Sequence, residues 1–236
     1  YWFSDKLAIR SARAVEVTEA QMPQYHGIVA ELAARASIPK PRLYVSPQPQ
    51  PNAFATGRNP DNAAVCVTEG LLKTLSWEEI QGVLAHELSH VRNRDILIGS
   101  VAAAVAMGIT FVASMGRWAL IFGGGQGGNS RDNPIGGLLM LILAPIAAAM
   151  IQMAISRCRE FEADASAARM LGTGEPLARA LERLDDAAAR VPSDVNPAEA
   201  SNYLVNPLRG RQVTKLFSTH PPVEERIVRL RTNAWS

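Results

Sequence analysis

Apolar residues fall along this chain in distinct patterns, and each predicts a different element. Residues 96–116 and 133–156 form two long runs with no charged side chain. Each reaches the roughly 20 residues that an apolar helix needs to cross about 30 Å of hydrocarbon. Pro145 in the second run is compatible with this, because lipid-embedded helices tolerate proline. Between the runs, residues 123–130 are five glycines with Gln126, Asn129 and Ser130, a composition suited to a turn. The pattern predicts a transmembrane helical hairpin, with spans at 96–122 and 135–156 and an extracytoplasmic Gly-rich loop at 123–134.

Shorter periodic segments flank it. A helix is expected from about Pro23 to Ser37, containing His26 as a structural residue. Another should run from Glu175 and Pro176 to about Arg190, with Leu177, Leu181 and Leu184 on one apolar stripe. Residues 41–45 and 63–68 read as strands, the second packing Cys66. Ser76 and Glu79 stand at capping-box spacing and Leu75 with Ile80 at staple spacing, so a helix should start at Ser76. Pro221 and Pro222 can open a last helix carrying Arg226. Residues 192–215 have no firm period and read as a loop over a cleft.

The helix that starts at Ser76 carries the chemistry, in the run His86, Glu87, Leu88, Ser89, His90. Histidines four apart lie on one helical face, where both imidazoles can hold a Zn²⁺ ion at about 2.0–2.1 Å. Glu87 is then placed to take a proton from the attacking water of a hydrolase. A catalytic zinc takes a third protein ligand and leaves one position open. Beyond the second apolar run, Cys158, Glu160, Glu162 and Asp164 lie in a segment of strong helix formers that ends at Gly172. Glu160 and Asp164 share a face, but spacing alone leaves Glu160, Asp164 and Cys158 all open as the ligand. Two crossings return the chain to its starting side, so the histidine helix and the acidic segment can meet.

Composition narrows the partners. The chain has 236 residues, of which 47% are hydrophobic, and a net charge of +2. That excludes general disorder and gives no reason to expect a nucleic-acid partner. Two cysteines are not a disulfide framework. Arg92 and Arg94 precede the first run, and Arg157 and Arg159 follow the second, which places the flanking regions in the cytoplasm.

The residues quoted so far, in their order, resemble the HtpX and Ste24 group of membrane zinc endopeptidases. The resemblance also rests on residues 1–6, on Asn52, Ala53, Phe54, Ala55, Thr56 and Gly57, and on His220 with Pro221, Pro222 and Arg226. It implies a zincin-like (gluzincin) catalytic domain, mainly α with a small β-sheet, interrupted by the hairpin. Its N-terminal part would be 1–95 and its C-terminal part 157–236. One Zn²⁺ per chain would be held by His86, His90 and Glu160, with Glu87 as general base. Asp164 would orient a histidine ligand, His220 stabilise the oxyanion and Arg226 position its neighbours. Asn52, Ala53 and Phe54 would lie by an edge strand that takes substrate main chain. The relatives also imply a first hairpin ahead of this sequence, a multi-pass place in the cell (inner) membrane, and substrates among damaged membrane proteins. The rival expectation is a membrane adaptor in which a closed zinc site only staples the two cytoplasmic parts.

Overall fold

The computed structural model describes residues 4–122, 134–190, 204 and 221–235. Residues 1–3, the Gly-rich stretch, most of 191–220 and His220 itself lie outside the described residues. The elements are α1 (Ser4–Ser11), β1 (Val15–Glu16), α2 (Pro23–Ala36), β2 (Arg42–Ser46), β3 (Ala53–Gly57), β4 (Ala63–Thr68), α3 (Glu69–Thr74), α4 (Trp77–Arg92), α5 (Asp95–Phe122), α6 (Pro134–Leu171), α7 (Glu175–Arg190) and α8 (Val223–Arg231). The architecture is mainly helical with one small mixed sheet in the order β1-β2-β4-β3. β2 and β4 are parallel, and the outer pairs are antiparallel.

β4 is buried along its whole length and separates two cores. Val65 and Val67 face α2 and α4, joining Tyr25, Val29, Leu32, Ile80, Val83, Leu84 and Leu88 in the main core. Ala64 and Cys66 face the other way, against Ile9 of α1 and Phe54. This alternation is what a period of two residues requires of a strand covered on both faces. Each fully buried leucine there contributes about 1.5–3 kcal/mol relative to exposure.

α4 is the pivot of the main core, packed against α2, α6, α7 and β3. The Ser76 main-chain N–H donates to Glu79 Oε2 at 2.7 Å, and the Glu79 N–H donates to the Ser76 hydroxyl, so the expected capping box starts the helix. Gly82 permits a close approach of α7: a Cβ there would stand 2.5 Å from the Leu177 main-chain nitrogen. α2 ends where Ser37 adopts a left-handed φ of 55°, and His26 within it bonds the Val17 carbonyl at 2.9 Å, a structural contact as expected.

The expected first span falls on α5, and the second falls on α6. α6 does not stop at residue 156 but continues to Leu171, about 57 Å at 1.5 Å per residue, because no helix breaker intervenes before Gly172. α5 and α6 pack together and keep Val101, Val105, Phe111, Ile146 and Met150 on the surface. Among the described residues, no single helix is long and apolar enough to cross a membrane. The segments Trp77–Arg92 and Leu97–Val112, bent by 58°, reach that length and apolarity only together.

Candidate metal centre

Three donor side chains converge where α4 passes α6. His86 Nε2 and His90 Nε2 are 3.1 Å apart. Glu160 presents Oε2 at 3.6 Å from the first and Oε1 at 3.6 Å from the second. Donors that touch one ion at about 2.0–2.1 Å with tetrahedral angles are spaced roughly 3.3–3.4 Å apart, so these edges bracket the separation a zinc ion demands. The donor chemistry fits equally well, since two imidazoles and a carboxylate suit zinc. Among the described residues, His86, His90 and Glu160 are the group able to hold a metal ion. Cys158 is exposed, and Asp164 is outside the group.

Both imidazoles turn Nε2 toward this point because a carboxylate faces each Nδ1. Asp164 Oδ1 is 2.9 Å from His86 Nδ1. Asp95 Oδ2 bonds His90 Nδ1 at hydrogen-bond distance. A carboxylate in that place makes Nδ1 the proton-bearing nitrogen and leaves Nε2 as a lone-pair donor. Behind Asp164 stands Arg226, fully buried, whose Nε and Nη2 donate to the two carboxylate oxygens at 2.8 and 2.7 Å. Burial alone would raise the Asp164 pKa, but the Arg226 charge and hydrogen bonds, with the His86 contact, hold it below the usual carboxylate value. For His90, burial disfavours the cation, yet the Asp95 hydrogen bond and the surrounding carboxylates raise its pKa.

Glu87 lies beside this group and is 7% exposed. Burial raises its carboxyl above the ordinary value, and His86 and His90 pull it down without reversing the shift. Its Oε2 accepts a hydrogen bond from the Ala55 main-chain N–H at 2.9 Å. β3 is the edge of the sheet, so its outward main-chain groups, at Ala53, Ala55 and Gly57, point away from β4. The Asn52 block therefore is the edge strand and its entry. Its side chains face other tasks. Asn52 Oδ1 accepts from the Leu204 N–H at 3.3 Å, Ala53 is buried in the main core, and Phe54 packs on the α1 side of the sheet.

Sequence reasoning did not single out Asp95 or Leu204. The available signal for Asp95 was its isolation, because it is the only acidic residue between Glu87 and Asp132. Leu204 had none: its carbonyl accepts from Arg226 Nη1 at 3.2 Å while its N–H donates to Asn52 Oδ1, so it contributes only main-chain groups, which residue type does not reveal.

An imidazole pair and a carboxylate from two helices, with a second carboxylate of α4 beside them bonded to the sheet edge, define a zinc metallopeptidase. The sequence profile of peptidase family M48 matches residues 19–234, and the chain belongs to that family. It is 54% identical over 233 residues to a protease HtpX homolog of Desulfatibacillum aliphaticivorans, covering 98% of this chain and 75% of that one. Likewise it is 54% identical over 233 residues to a protease HtpX homolog of Pseudarthrobacter chlorophenolicus, covering 98% and 79%. The crystal structure of S. mikatae Ste24p matches with a TM-score of 0.60 at 22% identity, covering 92% of this chain and 51% of that one, a likeness of fold.

Proposed function

We propose that this chain is a membrane-bound zinc endopeptidase in which His86, His90 and Glu160 hold the metal and Glu87 is the general base. The observation that carries the reading is the position of Glu87 between the donor group and the sheet edge, bonded to Ala55 N–H. The carboxylate that takes the proton already hangs on the strand that receives the peptide. Zinc held here supplies a Lewis acid for the scissile carbonyl and lowers the pKa of water toward about 7.

The chain's own groups do the rest. β3 holds an extended substrate through main-chain hydrogen bonds at Ala53, Ala55 and Gly57, which gives affinity with little side-chain preference. Substrate displaces the Ala55 amide from Glu87 and so releases the carboxylate. Glu87 accepts the proton of the attacking water and returns it to the leaving amine. Asp164 fixes the His86 ring, and Arg226 holds Asp164. The role of stabilising the oxyanion is given to His220, by the resemblance to the HtpX and Ste24 group.

The membrane reading draws support from the apolar surfaces of α5 and α6 and from the arginines at both roots of the pair. It places the catalytic body in the cytoplasm against the inner membrane, with lipid around the hairpin. Misfolded or damaged membrane proteins are the substrate class, in a quality-control role, as the relatives named protease HtpX homolog suggest. The adaptor alternative needs a fourth protein ligand, and neither exposed Cys158 nor Arg226-bound Asp164 supplies one.

Metal analysis and casein cleavage in detergent test the assignment. Glu87→Gln should keep its zinc and lose about 10²–10⁴-fold in turnover. Glu160→Ala should lose the metal. Unimpaired proteolysis by Glu87→Gln rejects the base, and unimpaired zinc content in Glu160→Ala rejects the ligand.

A further inference from the structure

The seam where α4, α5 and α6 meet holds a second ionic cluster behind the donor group. Asp95, the first residue of α5, is 3% exposed. One of its oxygens engages His90 Nδ1, and the other lies 3.3 Å from Arg159 Nε on α6. Arg159 is the neighbour of Glu160 in the chain. Its guanidinium lies over Gly99, one helical turn beyond Asp95, where a Cβ would come within 3.0 Å of Nη1. A single carboxylate thus joins a metal-facing imidazole, the root of α5 and the α6 turn that carries Glu160.

We propose that Asp95 is a positioning residue for His90, held in place by Arg159, through which the seating of α5 on α6 reaches the metal centre. This rests on the reading of His86, His90 and Glu160 as zinc ligands. The carboxylate on Nδ1 fixes the tautomer and ring orientation of His90 and raises the basicity of Nε2. A carboxylate this buried is costly without a partner, and Arg159 with the N-terminus of α5 offsets the cost. Gly99 supplies the room the guanidinium needs. The same order of imidazole, carboxylate and guanidinium stands behind His86, built from Asp164 and Arg226. Both metal-facing imidazoles are therefore oriented by one chemical device, and the His90 copy is the one rooted in the hairpin.

The test uses the full chain in detergent, with zinc affinity read by competition against a chromophoric chelator and ligand geometry by the visible spectrum of the Co²⁺-substituted protein. Asp95→Asn should weaken zinc about 10–100-fold, move the Co²⁺ absorption, and lower kcat more than it raises KM. Asp95→Glu should recover part of that affinity. Arg159→Gln should lose affinity in the same direction by less, and should add little when combined with Asp95→Asn. Unchanged zinc affinity and an unchanged Co²⁺ spectrum in Asp95→Asn, alongside a metal-free His90→Ala, overturn the proposal. A His90→Ala variant that keeps full zinc affinity overturns the ligand reading beneath it instead. Should Asp95→Asn fail to fold, Gly99→Ala, whose added Cβ meets Arg159 alone within 4 Å, should reproduce part of the Arg159→Gln loss, and its absence overturns the proposal.

Discussion

Asp164 and Arg226 stand behind His86, and Asp95 and Arg159 stand behind His90, in the same chemical order but in different surroundings. The first set joins α4, α6 and α8 inside the catalytic body, where Arg226 is fully buried and grips both Asp164 oxygens. The second lies where α5 begins against α6, and there the Arg159 side chain is 27% exposed and its Nε stands 3.3 Å from one Asp95 oxygen without completing a hydrogen bond. Orienting an imidazole takes only a carboxylate at Nδ1. How firmly that carboxylate is held depends on the burial of the guanidinium, so one set serves stability as well as orientation, and the other mainly orientation.

Removing each arginine exposes that contrast most strongly. Arg226→Met leaves Asp164 as an uncompensated buried charge and should cost about 3–5 kcal/mol. Arg159→Gln should cost clearly less, because Arg159 is partly exposed and lies near one Asp95 oxygen, while His90 and the α5 N-terminus still face that carboxylate. Urea denaturation of the metal-free protein in detergent measures both, and equal losses would break the comparison.

Glycines give the next largest effect and extend the contrast to the two regions as a whole. Gly82 faces the backbone of α7, so Gly82→Ala forces the helices apart and should cost about 1–3 kcal/mol. Nothing lies within 4 Å of a Cβ placed on Gly108 of α5. Gly108→Ala should leave thermal stability unchanged or slightly higher, since alanine is the better helix former by about 1 kcal/mol. A marked loss there would mean that α5 packs against something as tightly as α4 does.

The smallest expected effect concerns the two thiols. Burial pushes Cys66 from 9.0 up to about 12, while Cys158 is exposed. Native protein at pH 8 should therefore react with a thiol reagent at Cys158 and spare Cys66. Because the folded-state value is raised, stability from the neutral Cys66 thiol is present below about pH 9 and is lost as pH rises toward about 12. Cys66→Val should flatten that alkaline limb in pH-dependent urea melts, and an unaltered slope would remove Cys66 as its cause.

Local rules made much of this molecule legible. The capping box at Ser76, the proline openings at Pro23 and Pro222, the β-branched run of β4 and the four-residue histidine spacing each act within a few residues, so periodicity and residue type suffice to read them. α1, β1 and α3 were not anticipated. They are short, and their places come from packing on the sheet or from its end. The Asn52 block was expected beside an edge strand and is one, because strand order in a sheet is a tertiary property.

By itself, the sequence determined where the longer helices form, that His86 and His90 share a face, and that an apolar pair separates them from the acids of α6. Only the tertiary structure placed Glu160 with the histidines while leaving Cys158 exposed and Asp164 behind His86. It alone set Asp95 against His90 and Glu87 against the Ala55 amide. The reason is physical: a helix sets directions around its own axis, whereas distances between donors on different helices depend on crossing, register and side-chain burial, which no single segment contains.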